Sequence, residues 1–202
     1  FINEGDEIVV CKPYFFVYTV ESSLLGAKFT EVEPLDNFAC NLDGMLNAIT
    51  DKTKMVMITN PNNPTATIIG KKALADFIAK VPENVLIVLD EAYAEFVGDQ
   101  DYDEGLEYVK ENKNVLIIRT FSKLYGLAGL RVGYALAPKN LIANMRKAIE
   151  TFPVNRLGQT AAAAALDDNE FVKKTIDHAN QSRAYLKEEF SKLGIDMVDG
   201  FA

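Results

Sequence analysis

Short, nearly continuous apolar runs rich in β-branched residues recur along the chain: EIVVC (7–11), AKFTEVE (27–33), KMVMIT (54–59), VLIVLD (85–90), VLIIRT (115–120) and RVGYALA (131–137). Runs of this kind fit strands covered on both faces, where neither side meets water and strict alternation is lost. Between them, Leu74, Phe77, Ile78 and Val81 fall at i, i+3, i+4, i+7, and Leu141, Ile142, Met145 and Ile149 approximate the same spacing. Each stretch therefore predicts an amphipathic helix. From about Asn155 to Leu193 the pattern is helical throughout, with Val172, Ile176, Ala179, Leu186, Phe190 and Leu193 on a common face, which predicts a long helix connecting one domain to the next. Alternating strands and helices predict an α/β layered domain with a largely parallel sheet.

Composition sets the scale. A chain of 202 residues that is 49% hydrophobic has the material for one sizeable core, or for one domain and part of a second. Its formal net charge of -8 opposes nonspecific binding to nucleic acid or to an anionic membrane surface. No apolar run is long enough to span a bilayer. These features point to a small-molecule or protein partner. Cys11 and Cys40 sit in unlike contexts without metal-type spacing and read as structural thiols, so a reducing cytoplasm is the expected compartment. The opening FINEGDEIVV reads as the tail of one element, a turn and a strand, and the closing GIDMVDGFA as the entry to another strand. The chain is accordingly expected to be an internal portion of a longer protein.

Four of the apolar runs end in unusual polar chemistry: KPYFFVY (12–18), NPNNPTA (60–66), DEAY (90–93), and Ser122–Lys123 within TFSKLYGLAGLRVGY (120–134). Ligands of open α/β sheets collect beyond the carboxyl ends of the strands, so one site could gather all four. Taken singly, each has an ordinary explanation. NPNNPT makes a rigid turn, Asp90 could cap a following helix, Lys123 could simply reach out to solvent, Arg131 could pair with a surface acid, and Gly126, Gly129 and Gly133 could serve turns and close packing. A lysine at the end of a buried strand is harder to dismiss, because its ammonium is costly to desolvate unless something pairs with it or consumes the charge.

Together, GDEIVVCKPYFFVY, NPNNPT, VLDEAY and TFSKLYGLAGLRVGY, in this order and spacing, resemble the fold-type I pyridoxal 5'-phosphate (PLP) aminotransferases, most closely the histidinol-phosphate aminotransferase branch. The resemblance implies a three-layer α/β large domain, a mostly parallel sheet between helices, over residues 1–155. Residues 156–202 would then be a connecting helix and the start of a smaller domain. It implies a homodimer and one cofactor, PLP, with no metal. Lys123 corresponds to the lysine joined covalently to the cofactor, Asp90 to the carboxylate that pairs with the pyridine nitrogen, and Asn63 and Tyr93 to the pair that bonds the ring's 3'-oxygen. Thr120, Ser122 and Arg131 correspond to phosphate-binding residues and Phe15 to the aromatic ring stacked on the cofactor. Lys123, Asp90 and Tyr93 are the implied catalytic set.

The departures from that pattern are few. Phe15 stands where tyrosine is common, Phe16 replaces a smaller residue, and Ala66 stands where glycine is usual, which puts loop geometry in question rather than a reacting group. The implied reaction is transamination between an amino donor and a 2-oxo acid, with histidinol phosphate and glutamate as donors and 2-oxoglutarate as acceptor. An aromatic or broad-specificity aminotransferase, a decarboxylase of the same fold, and a non-catalytic PLP-binding regulatory domain are the alternatives. His178, the sole histidine, lies away from these motifs and reads as structural or exposed. The acidic segment 98–112 reads as a solvated loop and helix start, not a metal site.

Overall fold

All six apolar runs form strands, and they belong to one sheet: β1 (Glu7–Cys11), β2 (Lys28–Val32), β3 (Thr53–Thr59), β4 (Leu86–Asp90), β5 (Val115–Thr120) and β6 (Gly133–Leu136). Their spatial order is β2-β1-β3-β4-β5-β6. Neighbours from β2 to β5 run parallel, and β6 closes the edge antiparallel to β5. The computed structural model describes residues 1–98, 101–111 and 113–202. Asp99, Gln100 and Asn112, all within the acidic segment, lie outside the described residues.

The continuous apolar runs are explained by cover on both sides. Val9, Val56, Ile58, Leu89 and Ile117 face a layer made by α2 (Leu42–Asn47), α3 (Lys71–Lys80) and α4 (Leu106–Lys110). Leu86, Val88 and Leu116 point the other way, onto Leu141 and Met145 of α5 (Lys139–Met145). This is the expected three-layer arrangement. In α3 the stripe of Leu74, Phe77 and Ile78 is buried while Lys71, Lys72 and Lys80 stay in water. Burying each such side chain favours the fold by roughly 1.5–3 kcal/mol.

Three expectations change. The second amphipathic helix stops at Met145, before Ile149, which finds no core partner and is 52% exposed. The stretch read as one long helix is two, α6 (Arg156–Ala165) and α7 (Asn169–Lys192). Asp168 breaks it by accepting the Phe171 backbone N–H at 3.0 Å, because a short acidic side chain bonds a helix N-terminus better than it tolerates a helix interior. Finally, residues 195–202 form no strand; they lie against the 60–66 loop, with the Phe201 N–H donating to the Ala66 carbonyl at 2.8 Å.

Candidate active site

From β1 the chain crosses to β2 on one side and then to β3 on the other, so the crevice at the carboxyl ends of β1 and β3 is the switch point of the sheet. Because β1, β3, β4 and β5 are parallel, the four loops carrying polar chemistry all leave the same end of the sheet. The first runs from β1 into α1 (Val17–Leu24) and the last from β5 towards β6.

Asp90 is the last residue of β4 and pairs in register with Thr59 of β3. Its Oδ2 accepts the Tyr18 hydroxyl at 2.5 Å, and its Oδ1 accepts the Ala92 backbone N–H at 3.0 Å. The Tyr18 oxygen also lies 2.9 Å from Thr59 Oγ1. Burial pushes the Asp90 carboxyl above the usual range, while Tyr18, the Ala92 N–H and the charge of Lys123 pull against it. Tyr18 is pushed far above the ordinary phenol value by burial first and then by the Asp90 charge, so it keeps its proton and acts as donor. Asp90 is thus a largely buried carboxylate held by neutral donors, and a cation placed against it would complete the charge balance.

Tyr93 joins the next two loops. Asn63 Nδ2 donates to its hydroxyl at 3.3 Å, and Lys123 Nζ stands 5.4 Å from its ring centroid. Lys123 itself is exposed, on a bend beyond the end of β5, so the expected desolvated amine at a buried strand end is not what the fold provides. The loop is anchored instead by its neighbours: Phe121 and Leu124 are buried on either side and leave the lysine projecting. Thr120 Oγ1 accepts the Ser122 N–H at 3.0 Å. Gly133 permits the close approach of β6, since a Cβ there would meet the Arg119 carbonyl oxygen at 2.9 Å.

Phe15 packs edge-on against Tyr18, with ring centroids 5.7 Å apart, which ties it to Asp90 through a shared neighbour. Arg131 stands somewhat apart. Its backbone is left-handed at φ 55°, and its guanidinium donates to the Ala128 carbonyl at 2.8 Å. No hydrogen bond joins the Arg131 side chain to Thr120 or Ser122 among the described residues, although the Thr120 hydroxyl lies 3.5 Å from the carbonyl of the adjacent Val132. Ala66 adopts φ 55° and so keeps the left-handed geometry natural to glycine, at a strain of roughly 1–2 kcal/mol. Phe16 is 68% exposed and displaces nothing from the site.

Sequence reasoning missed Tyr18, Thr59 and the Glu91–Arg119 pair. Tyr18 could have been found as the polar-tipped aromatic three residues beyond Phe15, one helical turn away. Glu91 follows Asp90 but is 1% exposed, and its Oε2 accepts Arg119 Nε at 3.0 Å and a terminal guanidinium nitrogen at 2.7 Å. The exposed Glu104 takes a further Arg119 bond at 2.9 Å. His178 is exposed on α7. Among the described residues no cluster of His, Cys, Asp or Glu side chains could hold a metal ion, and no helix is long and apolar enough to cross a membrane.

The model of the family described as aminotransferase class I and II matches residues 1–201. A histidinol-phosphate aminotransferase of Moorella thermoacetica is 45% identical over 199 residues, 98% of this chain and 51% of that protein. The chain spans about half the length of the curated relatives it matches. Among solved structures, the histidinol-phosphate aminotransferase from Sinorhizobium meliloti in complex with pyridoxal-5'-phosphate aligns with a TM-score of 0.90 at 27% identity, over 98% of this chain and 54% of that one. The aspartate aminotransferase from Thermus thermophilus with maleate aligns with a TM-score of 0.87 at 26% identity, over 99% of this chain and 54% of that one. With the family pattern running from the first strand to the closing tail, and the same sheet and loops found in solved members, this chain belongs to the class I and II aminotransferases.

Proposed function

We propose that the protein binds PLP at the ends of β1, β3, β4 and β5 and transfers an amino group from histidinol phosphate to 2-oxoglutarate, giving imidazole acetol phosphate and glutamate. The observation that carries this reading is the placement of Asp90 at the end of β4 and of Lys123 just beyond the end of the neighbouring β5, where its charge acts on Asp90 and its Nζ stands 5.4 Å from the Tyr93 ring centroid. When bound, the cofactor supplies an aldehyde that takes up amino groups and a cationic ring that withdraws electrons from the carbon losing its proton.

The residues fit that group. Among the described residues no cation bonds Asp90 directly, and a protonated ring nitrogen would supply one. Tyr18 and the Ala92 N–H hold the carboxylate in place and favour its ionised form against burial. Asn63 and Tyr93, already bonded to each other, present an amide and a phenol to a ring oxygen. Phe15 would cover a ring face, and Thr120, Ser122 and Arg131 would hold the phosphate, Arg131 giving up its bond to the Ala128 carbonyl. Lys123 Nζ would serve as the base that takes and carries the proton of the substrate α-carbon. Its exposure suits a group that must reach solvent-borne substrate. The named relatives support histidinol phosphate as donor; the fold alone does not choose it, since an aspartate aminotransferase shares it. Residues 1–155 form the cofactor-binding part, residues 156–202 begin a smaller domain, and the whole protein works as a cytoplasmic homodimer.

Borohydride reduction of the full-length protein loaded with PLP, followed by peptide mapping, is expected to leave the pyridoxyl group on Lys123. Labelling of another lysine would overturn the assignment. Absorbance titration of the cofactor with histidinol phosphate and with aromatic amino acids tests the substrate: faster conversion by the aromatic donors would replace histidinol phosphate in this reading.

Tyr18→Phe tests the support of Asp90. Loss of a hydrogen bond to a charged group costs roughly 1.5–3 kcal/mol, so PLP affinity near neutral pH is expected to fall about 10- to 150-fold. The sign with pH follows from the Asp90 carboxyl, whose value is already raised and rises further without Tyr18. The cationic ring needs the ionised form, so the affinity deficit shrinks as pH rises and deepens as pH falls. A deficit independent of pH would mean that Tyr18 only packs against Phe15.

A further inference from the structure

Cys11 and Cys40 are remote in sequence, yet the fold brings them together. Cys11 ends β1, and Cys40 precedes Asn41, the residue that caps α2. The Asn41 backbone N–H donates to Cys11 Sγ at 3.3 Å, which sets the residue next to Cys40 against Cys11, while the Cys40 thiol faces Met45 Sδ at 3.6 Å. Both are free, and both line a cavity of about 20 Å³ with Lys12, Tyr14, Phe38 and Asn62, enough for a water-sized molecule.

The two sulfurs are chemically unequal. Contact with the Cys40 thiol, then the Asn41 N–H, brings the Cys11 thiol down to about 7, against burial and the nearby Glu33 carboxylate. The same contact, together with burial, pushes Cys40 upward. The Asn41 N–H donated to Cys11 Sγ favours the thiolate on Cys11, while contact with Cys11 and burial hold the proton on Cys40, which divides the roles of attacking and resolving sulfur.

We propose that Cys11 and Cys40 form a hydroperoxide-sensitive dithiol pair, with Cys11 attacking and Cys40 resolving. Cys11 Sγ attacks one oxygen of hydrogen peroxide, the O–O bond breaks, and the departing hydroxide leaves as water after taking a proton. Cys11 is then a sulfenic acid. Cys40 Sγ attacks that sulfur, the S–O bond breaks, a second water leaves with the Cys40 proton, and the S–S bond forms. Two thiols and one peroxide give one disulfide and two waters, the two electrons passing from the sulfurs to the peroxide oxygens. A dithiol reductant reverses the step. The bond would staple the end of β1 to the segment before α2, beside the loop in which Asn62 Nδ2 donates to the Pro13 carbonyl at 2.9 Å. This pair does not depend on the proposed transamination.

The test exposes the full-length protein to hydrogen peroxide, blocks remaining thiols by alkylation and maps peptides by mass. The expected product is the Cys11 peptide linked to the Cys40 peptide within one chain, two hydrogens lighter than the pair and released by dithiothreitol. In Cys40→Ser, dimedone is expected to capture a sulfenic acid on Cys11. In Cys11→Ser, Cys40 is expected to oxidise at least about tenfold more slowly than Cys11 does in the parent. Linkage between chains, independent over-oxidation of both sulfurs, or dimedone capture on Cys40 at the parent rate in Cys11→Ser would each overturn the proposal. The mapping of the parent protein decides the linkage even if either variant fails to fold.

Discussion

Lys123→Ala is expected to keep the cofactor and lose the reaction. The proposed partners of the ring and phosphate, Asp90, Tyr18, Asn63, Tyr93, Thr120, Ser122, Arg131 and Phe15, all remain in the variant. None of the hydrogen bonds that hold them uses the lysine side chain. Lys123 contributes a charge near Asp90 and an amine 5.4 Å from the Tyr93 ring centroid. On the proposed mechanism its removal would leave the α-carbon without a positioned base, which typically costs about 10²–10⁴-fold in rate, and would remove the amine that holds the cofactor covalently. Stopped-flow absorbance with a saturating amino donor should show cofactor retained and its conversion slowed by at least that factor. Conversion at the parent rate would remove Lys123 from the mechanism and with it the reading of the TFSKLYGLAGLRVGY loop.

The largest expected effect on stability comes from the other side of the same strands. Arg119→Ala leaves Glu91, which is 1% exposed, without the guanidinium that donates to it twice. Breaking a buried pair from one side typically costs about 3–5 kcal/mol. Even in the parent, burial pushes the Glu91 carboxyl from 4.5 up to about 8, with Arg119 pulling downward, so the variant raises it further. Below about 4.5 both folded and unfolded chains carry the protonated acid; from there stability is lost as pH rises through the folded value. The deficit measured by urea unfolding should therefore be largest in alkaline solution and shrink towards pH 5. Arg119→Met combined with Glu91→Met should recover most of it, because a matched apolar pair leaves no charge to desolvate. A small deficit that does not vary with pH would show that Glu91 reaches water without Arg119.

Much of this protein was legible from pattern alone, and the reasons are local. β4 and β5 read clearly as strands because apolar side chains are needed on both faces, and α3 because its buried residues repeat with the helical turn. The polar loops were legible because each interrupts an apolar run at its carboxyl end. The helix break at Asp168 was not, since Val172, Ile176 and the residues after them keep a helical rhythm and only a single side-chain cap marks the interruption. Lys123 was recognised for its neighbours, but its environment was misjudged: burial of Phe121 and Leu124 exposes the lysine between them, a consequence of the loop's path and not of its composition.

The sequence by itself determined the order of the six strands, the layered α/β class and the four segments that carry polar chemistry, because hydrophobic periodicity and turn residues act over a few positions. Tertiary structure alone decided which distant side chains meet. Tyr18 reaches Asp90 only because β1 and β4 flank β3, so that α1 overhangs the end of β4. Glu91 meets Arg119 because parallel pairing of β4 with β5 puts their ends side by side, and Cys11 meets Cys40 because the segment before α2 folds back on β1. Such contacts depend on strand order and register, which arise from the packing of the whole sheet and leave no periodic mark in any one stretch of chain.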